Sequence, residues 1–155
     1  MVSAIDPENV TFLIFDLARL IRGEFERRVE AARLGVTPAE ARVLVTMARL
    51  GPLRQHLLAE RIGVGQMSLT GFLDRLEEAG LVARSADPDD RRAKQVRLTP
   101  AAEPVLAGIA TIGREIRAAA RVGIADADWE GFRNVALAAR ANLGALKAPA
   151  AGCKA

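Results

Sequence analysis

The chain has 155 residues, half of them hydrophobic, which is enough for one domain with a packed core and a helical extension. Aromatic residues make up only 4%, a composition that favours packed helices, and the net charge of +3 with a pI near 9.7 is compatible with nucleic-acid binding. The single cysteine, Cys153, excludes an intrachain disulfide and favours a reducing cytoplasmic setting, and no apolar run reaches the ~18 residues of a membrane span.

The first predicted helix carries a continuous apolar stripe. Asp6 is expected to be its N-cap, with Pro7 at the first helical position. The stripe extends to about Leu34, before Gly35, and a helix this long is hard to bury on a small domain, so we expect a partner chain to cover part of it. Its residues are Val10, Leu13, Ile14, Leu17, Leu20, Ile21 and Phe25.

Three shorter helices are predicted next. The capping box Thr37-Pro38-Ala39-Glu40 begins the second helix, the third spans roughly Leu53 to Ile62, and the fourth spans about Gln66 to Glu78. Two helices joined by a short turn such as Gly63-Val64-Gly65 are typical of a helix-turn-helix. The buried side of the fourth helix is predicted to comprise Leu69, Phe72, Leu73 and Leu76. The start of the fourth helix therefore exposes mostly short side chains, which would allow the helix to lie deep in a groove of DNA.

A charged hairpin follows the fourth helix. Leu81–Arg84 and Gln95–Leu98 are predicted strands, joined by the turn Asp87-Pro88-Asp89-Asp90-Arg91-Arg92. In a winged helix-turn-helix the helix enters a DNA major groove and the basic hairpin, or wing, reaches a neighbouring minor groove. The predicted fold class is therefore mainly α with a small β-hairpin wing.

The C-terminal third is predicted to be helical. Thr99-Pro100 indicates a helix start, but Pro104 requires either that the helix begin after Ala102 or that its first turn be irregular. Asp126 is predicted to cap the last helix, on which Trp129 is expected to anchor a core or an interface.

Two sequence blocks carry a family resemblance. The blocks IGVGQMSLTGFLDRLEEAGLV (62–82) and DPDDRRAKQVRLT (87–99) resemble the recognition helix and wing of the MarR/SlyA family of bacterial transcriptional regulators. The wing includes that family's Asp-x-Arg motif at Asp90 and Arg92. The resemblance implies a homodimer formed by the first helix and the last two, a pseudo-palindromic DNA operator, and repression relieved by a small aromatic or phenolic effector.

The resemblance also implies a division of the chain into four parts, and the sequence departs from the family pattern at two points. The expected parts are a dimerisation helix (1–35), a winged helix-turn-helix domain (36–99), dimerisation helices (100–147) and a disordered tail (148–155). Gly71 stands where relatives often carry an arginine that contacts DNA, which puts the operator preference in doubt. The first helix contains no cysteine, so peroxide sensing is not expected.

The candidate DNA-binding residues follow from the wing and the helix start. Arg92 is expected in the minor groove, with Asp90 holding its guanidinium; the alternative is a solvated ion pair of the loop. Gln66 either pairs with adenine or caps the helix. The other candidates for base or phosphate contacts are Arg54, Gln55, Met67, Ser68, Thr70, Arg75, Arg84, Arg91 and Lys94.

Enzymatic activity and a metal or cofactor site are not expected. His56 is the only histidine and Cys153 lies in the tail, so no Ser–His–Asp set, Cys–His set or metal-ligand cluster can be argued. The remaining alternative to a DNA-binding regulator is a winged-helix module that contacts proteins without binding specific DNA.

Overall fold

Six α-helices and three short strands make up the described part of the chain, which comprises residues 6, 9–87 and 94–146 of a computed structural model. The helices are α1 (Val10–Ala32), α2 (Pro38–Leu50), α3 (Gln55–Ile62), α4 (Gln66–Glu78), α5 (Glu103–Ala120) and α6 (Asp126–Ala145). The strands are β1 (Leu53–Arg54), β2 (Val82–Ala86) and β3 (Lys94–Leu98). The predicted fold class, mainly α with a small β wing, is confirmed. The chain divides into two compact units, which are Met1–Ile116 and Arg117–Ala155.

The start of α1 differs from the prediction. Asn9 is the N-cap, and its Oδ1 accepts a hydrogen bond from Thr11 N at 2.9 Å, so Asp6 does not cap this helix. Pro7, expected at the first helical position, lies outside the described residues. At the other end Arg33 ends α1 in the left-handed conformation with φ of 49°.

Helix α2 lies in the centre of the first unit and begins as predicted. Thr37 Oγ1 accepts a hydrogen bond from Glu40 N at 3.3 Å, and the Glu40 carboxylate accepts one from Thr37 N at 2.9 Å. Its buried residues belong to an aliphatic core that also includes residues of α3, α4, the sheet and α5. The α2 and α4 contributions are Ala41, Val43, Leu44, Met47, Leu69, Leu73 and Leu76.

The sheet contains a strand, β1, that the sequence pattern does not predict. β3 lies between β1 and β2 and pairs antiparallel with both. Leu53 pairs with Val96 and Arg54 with Gln95, so the segment predicted as the first turn of the third helix is extended, and α3 begins only at Gln55. Pairing with a strand distant in sequence outweighs the local helical pattern here. The wing is therefore joined directly to the helix-turn-helix.

Helix α5 resolves the alternatives raised by Pro104. A single 3₁₀ turn, Pro100–Ala102, precedes α5, which begins at Glu103 and so places Pro104 in the first turn, where its missing N–H is not needed. Gly108 of α5 lies against Leu34, which follows α1, because a Cβ built at this position would meet Leu34 Cδ2 at 2.7 Å.

The second unit contains the whole of α6. Ala125 is the N-cap and makes no side-chain cap bond; the predicted cap, Asp126, is the first helical residue and pairs with Arg121. The Arg121 guanidinium lies over the Trp129 ring, and Trp129 is in contact with Phe132, with ring centroids 5.9 Å apart. α6 buries none of its residues within the chain.

Candidate nucleic-acid interface

The turn between α3 and α4 places the start of α4 at the surface. Gly63 ends α3 with φ of 75°, which favours glycine, and its N–H donates to Ala59 O at 2.9 Å. α4 then spans Gln66 to Glu78, as predicted, and directs Leu69, Leu73 and Leu76 into the core. The opposite face carries the predicted groove residues Gln66, Met67, Ser68 and Thr70, all exposed.

Met67 and the helix cap show that the first turn of α4 is open to solvent. Met67 is 90% exposed, more than any other large hydrophobic residue among the described ones. Gly65 is the N-cap of α4 and provides no side chain, so none of the outward residues is used as a cap. The capping alternative for Gln66 therefore does not hold, and backbone N–H groups at the helix start are left available to an anion.

Gln55 and Thr70 form a hydrogen-bonded pair between α3 and α4. Gln55 Nε2 donates to Thr70 Oγ1 at 2.8 Å, and this hydroxyl donates to Gln66 O at 2.9 Å. Both side chains thus lie on the expected surface, and in the free protein they are hydrogen-bonded to each other.

Three predicted phosphate contacts are held by carboxylates in the structure. Arg54 is on β1, not on the third helix, and forms two hydrogen bonds with the buried Asp87, at 2.9 and 3.1 Å. Arg75 Nε donates to Glu40 Oε1 at 2.5 Å, and its guanidinium lies over the Phe72 ring. The third, Arg84, pairs with two carboxylates of α4.

Arg84 is the case in which placement departs most from the prediction. Its side chain is only 15% exposed, and its guanidinium pairs with Asp74 at 2.7 Å and Glu77 at 2.9 Å on α4. The expected non-specific attraction between this arginine and phosphates requires an exposed charge. We therefore leave Arg84 out of the candidate contact surface.

The wing is described up to its tip. β2 and β3 pair from Val82 with Leu98 to Ala86 with Lys94, and Lys94 is exposed at the end of β3. Asp90, Arg91 and Arg92 lie outside the described residues, so the structure does not test the predictions made for them.

Sequence reasoning did not identify the carboxylates that organise this surface. Glu40 was predicted only as part of a capping box, Asp87 only as a turn residue, and Asp74 and Glu77 were given no role. Each is paired with an arginine from another element. No local signal in the sequence pairs these residues, because each arginine and its carboxylate come from different elements.

An open cleft lies beside the C-terminal half of α4. Its volume is about 460 Å³, within the range of small-molecule sites. The buried Glu40 carboxylate lies at its wall, and burial raises the pKa of this group while hydrogen bonds from Thr37 and Arg75 outweigh that effect and lower it below 4.5. The cleft is lined by Arg33, Gly35, Val36, Thr37, Glu40, Arg75, Leu76 and Ala79.

Two negative findings concern the described residues. None of their helices has the length and hydropathy needed to cross a membrane. Within residues 9–87 and 94–146, no group of three or more His, Cys, Asp or Glu side chains is arranged to hold a metal ion.

Comparisons with known proteins agree with this architecture. The sequence model of the MarR family matches residues 36–94, which include α2, α3, α4 and the first strand of the wing. The transcriptional regulator PA3341 is 34% identical, with a TM-score of 0.73, and the match covers 87% of this chain and 98% of that one. A MarR-family regulator from Silicibacter pomeroyi is 25% identical, with a TM-score of 0.74, covering 86% and 89% of the two chains.

A third solved structure shares the fold at lower identity. Bordetella bronchiseptica BpsR, whose DNA binding is regulated by 6-hydroxynicotinic acid, is 21% identical with a TM-score of 0.68, and the match covers 86% of this chain and 99% of that one. Together with the match to PA3341 over nearly its whole length, the family match at the helix-turn-helix and the first wing strand shows that this chain belongs to the MarR family of transcriptional regulators.

Proposed function

We propose that the chain acts in the cytoplasm as a homodimeric repressor that binds a pseudo-palindromic DNA operator and is released by a small aromatic or phenolic effector. The observation that carries this proposal is the exposed start of α4. The side chains of Gln66, Met67 and Ser68 make no hydrogen bond to another part of the described chain, while one face of α4, formed by Leu69, Leu73 and Leu76, is packed into the core. A rigid helix with a free, short-chained end suits a major groove.

The DNA contacts divide into two groups. Gln66, Ser68 and Thr70 face the base edges, and Gln66 has the geometry to pair with adenine N6 and N7. Lys94, with Arg91 and Arg92 at the wing tip, supplies contacts to phosphates and the minor groove, and Asp90 holds Arg92. These wing-tip roles rest on the sequence pattern.

Dimer formation is supported by an uncovered apolar surface on α1. The apolar residues of its first half are between 43% and 66% exposed, a density that monomeric proteins rarely leave to water. They are Val10, Phe12, Leu13, Ile14, Phe15, Leu17, Leu20 and Ile21. In the second unit α6 also exposes large apolar residues, among them Phe132, Val135 and Leu143. A second copy of the chain would cover such faces.

The effector is assigned to the cleft beside α4. It is of suitable size, and it brings two guanidinium-bearing residues, Arg33 and Arg75, next to apolar wall residues. BpsR, a protein of the same fold, responds to 6-hydroxynicotinic acid, a small aromatic acid. Because Arg75 belongs to α4, an occupant of the cleft would shift the helix that enters DNA and change the separation of the two helices of a dimer.

A selection experiment tests DNA recognition. The purified protein is used to select duplexes from a random-sequence pool, and the enriched sequence is footprinted. The proposal expects one enriched inverted repeat with half-sites about one helical turn apart, and loss of affinity in Arg92→Ala without loss of folding or dimer. Weak binding that is sequence-independent and abolished by moderate salt would instead support the protein-contact alternative.

A further inference from the structure

The Arg84 side chain extends from β2 onto α4 and contacts three of its residues. Nη1 donates to Glu77 Oε2 at 2.9 Å, and Nη2 lies 2.7 Å from Asp74 Oδ1 and 3.3 Å from Thr70 O. In addition, the backbone N–H of Arg84 donates to Glu77 Oε1 at 2.9 Å. We call this set of contacts the Arg84 clamp.

The spacing of the three acceptors explains why the residue is an arginine. Residues 70, 74 and 77 lie on one face of a helix, over two turns, so one planar group with several N–H donors can reach all of them. A guanidinium offers five donors in a fixed fork, whereas a lysine ammonium is a compact point charge. Only arginine therefore fixes both the position of β2 along α4 and its rotation about α4.

Stability alone does not account for this arrangement. Arg84 Nε is buried and has no hydrogen-bond partner in the described part of the chain. An unpaired buried N–H costs free energy, and two of the acceptors, Asp74 and Glu77, remain partly exposed to water. A plain hydrophobic contact at this position would join β2 to α4 without that cost.

We propose that Arg84 is a positioning residue for DNA recognition: it sets the angle between the recognition helix α4 and the wing, and it does not itself contact DNA. This inference rests on the proposed function. Its two competitors are a direct phosphate contact and a simple neutralisation of Asp74 and Glu77, and both require only the positive charge of Arg84.

The first test replaces the forked guanidinium of Arg84 by the ammonium of a lysine, which keeps the positive charge. The probe is the duplex that the wild-type protein selects from a random-sequence pool. Arg84→Lys is expected to bind it at least tenfold more weakly, with an unchanged slope of log affinity against log salt, because no phosphate contact is lost. Arg97→Gln, which removes an exposed charge from β3, is the matched control. Binding by Arg84→Lys within twofold of the wild type would overturn the proposal.

In the second test, the clamp and simple charge neutralisation predict changes of DNA affinity in opposite directions. Asp74 is 59% exposed, so Asp74→Ala should fold. If Arg84 only offsets acidic charge, then removing this carboxylate from a DNA-facing helix should increase affinity. The clamp predicts a decrease of about threefold to tenfold, since the guanidinium loses one of its acceptors. Unchanged or increased affinity would contradict the clamp.

The outcomes separate this inference from the function on which it rests. If the wild-type protein selects no duplex, the proposed function is wrong and the role of Arg84 is rejected with it. If a duplex is selected, the two variants decide the role of Arg84 alone.

Discussion

The Glu40 carboxylate on α2 accepts a hydrogen bond from Arg75 Nε on α4 at 2.5 Å. The same carboxylate accepts one from Thr37 N, so a single buried group completes the cap of α2 and fixes the side of α4 that borders the cleft. The proposed effector site and the proposed DNA-binding helix, α4, are thus connected through one ion pair.

Glu40→Gln should lower the free energy of unfolding at neutral pH and have a smaller effect on it at acidic pH. The folded-state pKa of Glu40 lies below 4.5, so its ionised form stabilises the fold above about pH 4.5, and this stability is lost as the pH falls through the folded-state value. We expect a loss of about 1.5–3 kcal/mol at about pH 7, typical of hydrogen bonds to charged groups. Urea unfolding at neutral and acidic pH measures it. The exposed Glu78→Gln is the control, and an equal loss at both pH values would contradict the prediction.

Gly71→Ala should stabilise the protein. Gly71 lies inside α4, and a Cβ there would meet only Arg75 Nη1, at 3.7 Å, which is ordinary contact. Alanine in a helix interior is favoured over glycine by about 0.5–1 kcal/mol, so thermal unfolding should move upward by several degrees.

The comparison for Gly71 is Gly108→Ala, a second glycine inside a helix. A Cβ at this position would approach Leu34 Cδ2 to 2.7 Å, so Leu34 must move and part of the propensity gain is lost. Its unfolding temperature should therefore fall below that of Gly71→Ala. The reverse order would show that α4 needs a glycine for a reason absent from the free structure.

Leu17→Glu should convert a dimer to monomers. Leu17 lies in the exposed apolar stripe of α1, where a carboxylate facing a partner chain would be buried without a counter-charge. Sedimentation at micromolar concentration measures the change, and circular dichroism checks that the helices remain. Arg22→Glu, on the exposed polar side of the same helix, should leave the dimer intact. Equal behaviour of the two variants would locate the interface elsewhere.

Lys94→Gln and Gln66→Ala should weaken DNA binding in different ways. Lys94 is proposed as a phosphate contact, so its loss should reduce the salt slope by about 0.9 per contact and weaken all sequences alike. Gln66 is proposed as a base contact, so its loss should leave the slope unchanged and relax the preference at one base pair. Fluorescence anisotropy across a salt series distinguishes the two.

Local signals account for the parts of the fold that the sequence predicts well. The capping box at Thr37 and Glu40 and the glycines at positions 63 and 65 act within a few residues, so α2 and α4 begin where expected. The exposed polar start of α4 follows from helical periodicity and was predicted in the same way.

Long-range pairings explain what the sequence leaves undetermined. Leu53 and Arg54 are extended only because β3, far along the chain, offers them backbone partners. Likewise, nothing near Arg84 indicates that its charge is directed onto α4 instead of solvent, because Asp74 and Glu77 become its neighbours only after the hairpin folds back. Arginines at a candidate DNA surface are therefore ambiguous until their carboxylate partners are known.

The two-residue strand β1 has a mechanical consequence for release from DNA. Its pairing with β3 attaches the wing to the two residues that precede α3, and Asp87, which follows β2 at the tip end of the wing, holds Arg54 of β1. The hairpin therefore lacks an independent hinge at its root. If the chain binds DNA as proposed, we expect α4 and the strands of the wing to leave the duplex together as one body, without a separate movement of the wing.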